Sequence, residues 1–160
     1  MKKITIIYYS RTGNTEIMAK AVKEGAEKSG AEATLKKAEK AGASDVLNCD
    51  AVIFGSPNYF GYMAGAVQMI LEDCFMELAE EDVTRPYAVF ASAGSQGGRE
   101  PIENIERLCD GFGKRFGKFK FSKAADGVGT PPSESTSPGP PSEEVLEKCR
   151  ELGKRMALLE

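Results

Sequence analysis

The sequence predicts an α/β fold in which helices cover both faces of a doubly wound, five-stranded parallel sheet. Short β-rich apolar runs alternate along the chain with helical patterns. The apolar runs show little alternation of polar and apolar residues, which is typical of strands covered on both faces. The 160 residues, of which 41% are hydrophobic, match the length and composition of one globular domain. We therefore expect a single domain over 1–160.

Five segments have the composition of strands. The first, third and fourth segments carry the most apolar residues, so we expect them in the middle of the sheet. The second segment is charged, which suits an edge strand. In chain order the predicted strands are 4–9, 33–37, 51–55, 87–91 and 118–121.

Between the strands, apolar residues recur at helical spacing. Gly30 is placed to end the first helix, and Ser142 to cap the last one, with Glu143 and Glu144 in its first turn. About five strands and five helices fit one such domain, with right-handed crossovers. Helices are predicted over 14–29, 63–79, 102–115 and the segment after Ser142.

Composition excludes several classes of function. The chain has no histidine, which excludes a Ser-His-Asp triad, a Cys-His dyad and a His-ligated metal site. Its net charge of −3 argues against a nucleic-acid partner, and no apolar run approaches the length of a membrane span. The four cysteines form no CxxC pair, so we expect reduced thiols in a cytoplasmic protein without a metal site.

The segment 127–142 differs from the rest of the chain. It holds five of the eight prolines together with several serines, a composition that favours a long loop over a packed element. The loop follows the last predicted strand, so it could act as a lid over a site at that edge or simply connect two elements.

The loops after the first, third and fourth strands are the expected ligand loops, because open parallel sheets bind ligands at the carboxyl ends of their strands. The loop at 10–15 places three hydroxyl side chains, an amide and one glycine where a strand meets a helix. Free N–H groups at a helix N-terminus favour an anion, and a glycine lets the backbone curl around it. We interpret this loop as a phosphate site. The alternative is that the loop only caps the helix and binds no ligand, but a helix cap needs only one such residue.

The other two loops suit a flat aromatic ligand. The segment 57–62 groups three aromatic residues around Gly61, which offers an apolar platform for a ring. The segment 92–98 is rich in glycine and has no bulky side chain before Arg99, so a ligand could approach its backbone closely.

Together these residues resemble the flavodoxin-like FMN-binding family. The resemblance rests on Ser-x-Thr-Gly-Asn-Thr after the first strand, Phe54-Gly55-Ser56-Pro57 after the third, and the glycine-rich run after the fourth. It implies FMN as the cofactor, with the phosphate at the first loop and the other two loops around the isoalloxazine. The residues it implies are Ser10, Arg11, Thr12, Gly13, Asn14, Thr15, Ser56, Pro57, Asn58, Tyr59, Phe60, Gly61, Ser92, Ala93, Gly94, Ser95, Gln96, Gly97 and Gly98.

The second and third loops are similar to those of WrbA-type NAD(P)H:quinone oxidoreductases. This similarity implies a redox enzyme that passes electrons from NAD(P)H through FMN to quinones or other small acceptors, with no catalytic side chain of its own. It leaves a homo-oligomer open as the assembly. Arg99 could attract the phosphates of a nicotinamide cofactor. A flavodoxin-type carrier that docks protein redox partners and a flavin-binding regulatory module remain alternatives.

Overall fold

The predicted apolar runs form strands, and the helical patterns form helices between them. The computed structural model describes residues 1–115, 117–134 and 139–160. The strands are β1 (Lys3–Tyr8), β2 (Glu32–Lys37), β3 (Ala51–Pro57), β4 (Thr84–Ser92), β5 (Lys120–Lys123) and β6 (Val128–Gly129). The helices are α1 (Asn14–Lys28), α2 (Ala43–Leu47), α3 (Gly65–Leu78), α4 (Arg99–Arg115) and α5 (Glu143–Ala157).

The sheet has the predicted class and topology. Strands β2-β1-β3-β4-β5 are neighbours in that order, and every pairing in the sheet is parallel. From β1 the chain adds β2 on one side, and then adds β3, β4 and β5 on the other side. The carboxyl ends of β1 and β3 are neighbours at the point where this order reverses, which is the switch point of the sheet. The three predicted ligand loops leave the sheet at the same edge.

Neighbouring residues of the central strands point into different cores. Ile6 packs in a cluster with α1 and α5, whereas Ile7 packs in a second cluster with α2, α3 and α4. Both residues are fully buried, which explains the lack of alternation in the sequence of β1. The cysteines Cys49, Cys74, Cys109 and Cys149 are free thiols buried in these cores.

On one face, α1 and α5 approach each other at two glycines. A Cβ on Gly25 would lie 1.9 Å from the carbonyl oxygen of Arg150, and one on Gly153 would lie 1.9 Å from that of Val22. Side chains larger than hydrogen would push the helices apart, so these glycines fix the spacing of this layer.

The boundaries differ from the sequence prediction at several places. The short helix α2 was not located, β5 begins two residues later than predicted, and α4 begins at Arg99, three residues early. The polar first turn of α4 has no apolar periodicity of its own, which is why the pattern alone placed the start at Ile102.

The segment 127–142 is not entirely a loop. Val128 and Gly129 form β6, which pairs with Phe90 and Ala91 of β4, and Val128 packs against the core next to α1 and α5. Strand β5 occupies the first half of the same β4 edge, so β6 continues the sheet where β5 has ended. We call residues 127–134 and 139–142 the strap. Residues 135–138 lie outside the described part of the chain.

Candidate functional site

The 10–15 loop wraps the N-terminus of α1. Gly13 is the N-cap residue and has φ 102°, a left-handed conformation that glycine adopts without steric cost. The carbonyl of Gly13 accepts the first helical hydrogen bond from Ile17 N–H at 3.0 Å, and the Glu16 N–H donates to Ser10 Oγ at 3.2 Å. The preceding N–H groups of α1 have no carbonyl within the helix to bond, so the loop presents donors to an anion.

The hydroxyl groups of this loop differ in their surroundings. Thr12 is exposed, whereas Thr15 is buried and its Oγ1 lies 2.6 Å from Ser92 Oγ at the end of β4. The Thr15–Ser92 pair thus ties the first predicted ligand loop to the third. Of the three hydroxyl residues of the loop, Thr12 is the most exposed, since Ser10 is half-buried and Thr15 is buried.

Beneath the loop, Tyr8 and Glu16 hold the end of β1 to the first turn of α1. The Tyr8 hydroxyl donates to Glu16 Oε1 at 2.8 Å. Burial, and then the hydrogen bond and negative charge of Glu16, raise the pKa of Tyr8 to about 12. The hydroxyl is therefore protonated at neutral pH and remains a donor to the carboxylate.

The segment after β3 closes in a tight two-residue turn. Tyr59 N–H donates to Tyr62 O at 2.9 Å, and Tyr62 N–H donates to Tyr59 O at 3.0 Å. The two central residues, Phe60 and Gly61, have φ values of 56° and 78°, as a type I′ turn requires. Positive φ is unfavourable for a bulky residue such as Phe60, whose side chain is nevertheless fully exposed.

Aromatic and cationic side chains meet beside this turn. The rings of Tyr9 and Tyr59 contact edge to face, with centroids 6.2 Å apart and an interplanar angle of 79°. The exposed Arg11 side chain hydrogen bonds to Tyr9, and this bond raises the pKa of Arg11. Burial, followed by the electrostatic effect of the neighbouring Tyr9 phenol, raises the pKa of Tyr59, so the Tyr59 hydroxyl is protonated at physiological pH.

Ser56 acts at the base of the same segment. It is fully buried, and its hydroxyl donates to Pro57 O while accepting from Ala64 N–H, both at 2.8 Å. Both bonds are made to the backbone of the protein. Ser56 therefore holds the end of β3 to the residue that precedes α3. The structure gives it a supporting position rather than a ligand-facing one.

Two glycines of the 92–98 loop, Gly97 and Gly98, face protein. A Cβ on Gly97 would lie 3.1 Å from Pro132 of the strap, and one on Gly98 would lie 2.6 Å from Ala91 O. Gly98 N–H also donates to Thr130 O at 2.9 Å. The close backbone approach predicted for this loop is therefore made to the strap at Gly97 and to the end of β4 at Gly98, while Ser95 and Gln96 are exposed.

A cleft of about 410 Å³ lies between the strap, the end of β4 and the start of α1. Asn14 Nδ2 donates to Gly139 O across it at 3.3 Å, and Ser133 N–H donates to Ser95 O at 3.0 Å. The strap therefore contacts both the first and the third predicted ligand loops. Residues lining the cleft include Ser92, Ala93, Gly94, Thr130, Pro131, Pro140 and Ser142.

The open side of the site fits a phosphorylated flat ligand. A Cβ on Gly13 or Gly61 would meet no atom within 4 Å, so the backbone at both positions borders free space. Helix N–H donors and the Thr12 hydroxyl lie at one end, and the half-buried Tyr59 ring lies in the neighbouring turn. This donor set matches a phosphate group followed by an aromatic ring system.

Comparison with known proteins identifies the family. A sequence model described as Flavodoxin matches residues 6–135. A flavodoxin of Aquifex aeolicus is 35% identical over 98% of this chain and 86% of its own length. The chain belongs to the flavodoxin family.

Solved structures support the same fold. Oxidised flavodoxin 1 from Bacillus cereus has a TM-score of 0.75 at 19% identity, with 99% of each chain covered. A WrbA-like flavodoxin from Agrobacterium tumefaciens has a TM-score of 0.68 at 22% identity, covering 98% of this chain and 96% of the other. Membership of the flavodoxin family confirms the resemblance found in the sequence and implies an FMN redox flavoprotein that passes electrons to partners.

Sequence reasoning missed parts of this flavodoxin's site. Tyr9 was counted only as a strand residue, yet it pairs with Tyr59 and Arg11. The strap was predicted as a loop, but its contacts with Asn14 and Gly98 were not foreseen. One signal in the sequence could have indicated these contacts. The strap follows the last predicted strand, so it must start from the same edge of the sheet as the ligand loops. In the part of the chain that the structure describes, no helix is long and apolar enough to cross a membrane.

Proposed function

We propose that this flavodoxin is an electron carrier that binds FMN non-covalently and exchanges electrons with protein redox partners. The observation that carries the proposal is the pairing of two open glycine backbones, Gly13 beside helix N–H donors and Gly61 beside an aromatic ring, at one edge of the sheet. FMN supplies the electron-transfer chemistry when bound, so the chain's own residues need only bind, orient and shield it.

In this proposal the 10–15 loop holds the phosphate. Backbone N–H groups at the start of α1 and the exposed Thr12 hydroxyl donate to its oxygens, and the helix dipole offsets its charge. Ser10 and Thr15 have hydroxyls already bonded to Glu16 N–H and to Ser92, so they shape the loop. No lysine is needed for this kind of anion site.

The ring end of the cofactor would lie along the 59–62 turn and the 92–98 loop. Tyr59 offers a half-buried aromatic surface that its edge contact with Tyr9 holds in place. The turn also carries the exposed ring of Phe60 and the partly exposed ring of Tyr62 on its outer side. Such rings are frequent in protein–protein contacts.

The exposure of Phe60 favours a protein partner over a small-molecule acceptor. A small molecule is usually bound in a concave site that covers most of its surface. Phe60 stands on the tip of a turn and is convex, so a partner must supply the concave surface. This is the form of contact that an electron carrier makes with another protein.

An NAD(P)H-dependent reductase that reduces quinones or other small acceptors is the second candidate. Arg11 favours it, because an exposed guanidinium beside the ring end could bind a nicotinamide cofactor phosphate. Arg99 supports it less, since its guanidinium is ion-paired with Glu103 at 2.8 Å.

An anaerobic titration separates the two candidates. The protein is loaded with FMN, and visible absorbance is followed during stepwise addition of NADPH and then of NADH. For a carrier we expect no reduction over minutes, and rapid reoxidation of the chemically reduced protein by cytochrome c as a protein acceptor. Rapid, stoichiometric bleaching by either nucleotide would contradict the carrier proposal and establish the reductase. Failure of the protein to bind FMN would contradict both.

A further inference from the structure

Asn58 is hydrogen bonded to several parts of the site through its backbone N–H and both polar atoms of its side chain. Its side-chain Oδ1 accepts from Gly61 N–H at 2.9 Å. Its Nδ2 donates to Gly97 O at 2.8 Å and lies 3.2 Å from Glu100 Oε2. Its backbone N–H donates to Ser92 O at 2.8 Å. One residue thus links the 59–62 turn to the end of β4, to the 92–98 loop and to the first turn of α4.

These bonds leave Asn58 little capacity to bind a ligand. An amide side chain has two N–H donors and one carbonyl acceptor, and the protein already engages both its oxygen and its nitrogen. The resemblance to the family implies direct contact with the cofactor at this position. The observed bonding indicates instead that Asn58 acts through Gly61 and Gly97.

The turn that Asn58 holds is in a conformation that would not persist unaided. Phe60 has a positive φ, and such a conformation survives only where surrounding contacts determine it. The bond from Gly61 N–H to Asn58 Oδ1 is one such contact, and the bond from Asn58 Nδ2 to Gly97 O fixes the turn relative to the opposite loop.

We propose that Asn58 is a positioning residue that sets the separation of the 59–62 turn and the Gly97 loop, the two walls beside the isoalloxazine. This inference rests on the proposed function, because it assumes FMN in this site. It predicts that Asn58 affects how the ring is held and leaves the phosphate end unchanged.

The test compares Asn58→Ala and Asn58→Asp with Asn48→Ala, a control on the side of the sheet away from the site. Asn58→Ala removes both side-chain bonds. Asn58→Asp keeps the acceptor for Gly61 N–H but loses the donor to Gly97 O and places a carboxylate near Glu100. Three quantities are measured: amide hydrogen exchange at Gly61 in the apoprotein, the dissociation constants of FMN and riboflavin, and the midpoint potentials of the bound flavin.

For Asn58→Ala we expect at least tenfold faster exchange at Gly61. We also expect at least tenfold weaker binding of both FMN and riboflavin, with their affinity ratio unchanged, and potentials that differ from those of Asn48→Ala. Asn58→Asp should keep slow exchange at Gly61 but still weaken both flavins and move the potentials.

Unchanged riboflavin affinity and unchanged potentials in Asn58→Ala would overturn the inference, even if exchange at Gly61 increased, because Asn58 would then be only structural. A fall in FMN affinity without a fall in riboflavin affinity would also overturn it. Failure of the wild-type protein to bind either flavin would instead refute the proposed function, so the two failures can be distinguished.

Discussion

Two regions at the same edge of the sheet use glycine in opposite ways. In the open region, formed by the 10–15 loop and the 59–62 turn, Gly13 and Gly61 have positive φ and border free space. In the closed region, formed by the 92–98 loop and the strap, Gly97 and Gly98 lie against other parts of the protein. A glycine-rich sequence therefore shows that something approaches the backbone closely, but it does not show whether a ligand or the chain itself approaches.

The strongest test of this comparison is Gly98→Ala in the closed region. The added Cβ would lie 2.6 Å from the carbonyl oxygen of Ala91, a backbone atom that cannot rotate away. We expect the free energy of unfolding in urea to fall by about 2–3 kcal/mol. Gly139→Ala is the matched control, since its Cβ would meet nothing within 4 Å. Equal stability of the two variants would mean that the backbone of Gly98 does not lie against the end of β4 as closely as the structure shows.

A smaller loss of stability is expected for Gly13→Ala in the open region. Its Cβ meets no atom, so the cost comes only from the positive φ and is about 1 kcal/mol. Its effect on binding should exceed its effect on stability, because the Cβ enters the space proposed for the phosphate. We expect FMN affinity to fall at least tenfold, measured by fluorescence quenching, while riboflavin affinity stays within twofold.

Gly30→Ala is a close control for that variant. Gly30 lies just beyond the other end of α1, has φ 90° and also faces open space. It should lose the same stability as Gly13→Ala without any loss of FMN affinity. A matching loss of FMN affinity in Gly30→Ala would show that strain in α1 explains the effect, rather than a Cβ in the space proposed for the phosphate.

In the open region, substitution of Phe60 is expected to increase stability rather than reduce it. Its ring buries no surface, whereas its positive φ is costly for a bulky side chain. Phe60→Asn should therefore raise the free energy of unfolding by about 0.5 kcal/mol, because asparagine tolerates this conformation better. Thermal and urea unfolding of the apoprotein measure the change. A loss of more than 1 kcal/mol would show that the ring packs against the protein after all.

The sequence was sufficient to find the five main strands and to locate the loops of the open region. The buried strands β1, β3 and β4 are recognisable because each contains an uninterrupted run of apolar or β-prone residues. The 10–15 loop is recognisable because a short local motif contains its donors. The topology then brings the loops to one edge without further information. This part of the site is local in sequence, and local patterns can be read from one chain.

The closed region could not be predicted because its contacts are non-local. The pairing of β6 with Phe90 and Ala91 depends on a neighbouring edge left free when β5 ends after Lys123. No periodicity in a two-residue strand reveals this. Asn58 is a similar case, since a single asparagine in a loop gives no sign that its amide bridges to Gly97, 39 residues away. Which loop residues face a ligand and which brace the site is decided by such contacts.

The last expected effect appears only at alkaline pH and concerns the support beneath the open region, where Tyr8 donates to Glu16. The pKa of Tyr8 is raised to about 12 in the folded protein, against about 10 for a free phenol. The folded state thus holds this proton more tightly than the unfolded state. Its stabilising contribution is complete below pH 10 and is lost as the pH rises from about 10 to about 12.

Tyr8→Phe lacks this proton, so the stability advantage of the wild type over the variant should be constant below pH 9 and should shrink between pH 10 and 12. Urea unfolding of both proteins across this range measures the difference, and titration of the other tyrosines cancels in the comparison. A constant difference up to pH 12 would mean that the Tyr8–Glu16 bond contributes nothing. The rigidity of the open loop would then come from Ser10, Gly13 and the Thr15–Ser92 pair alone.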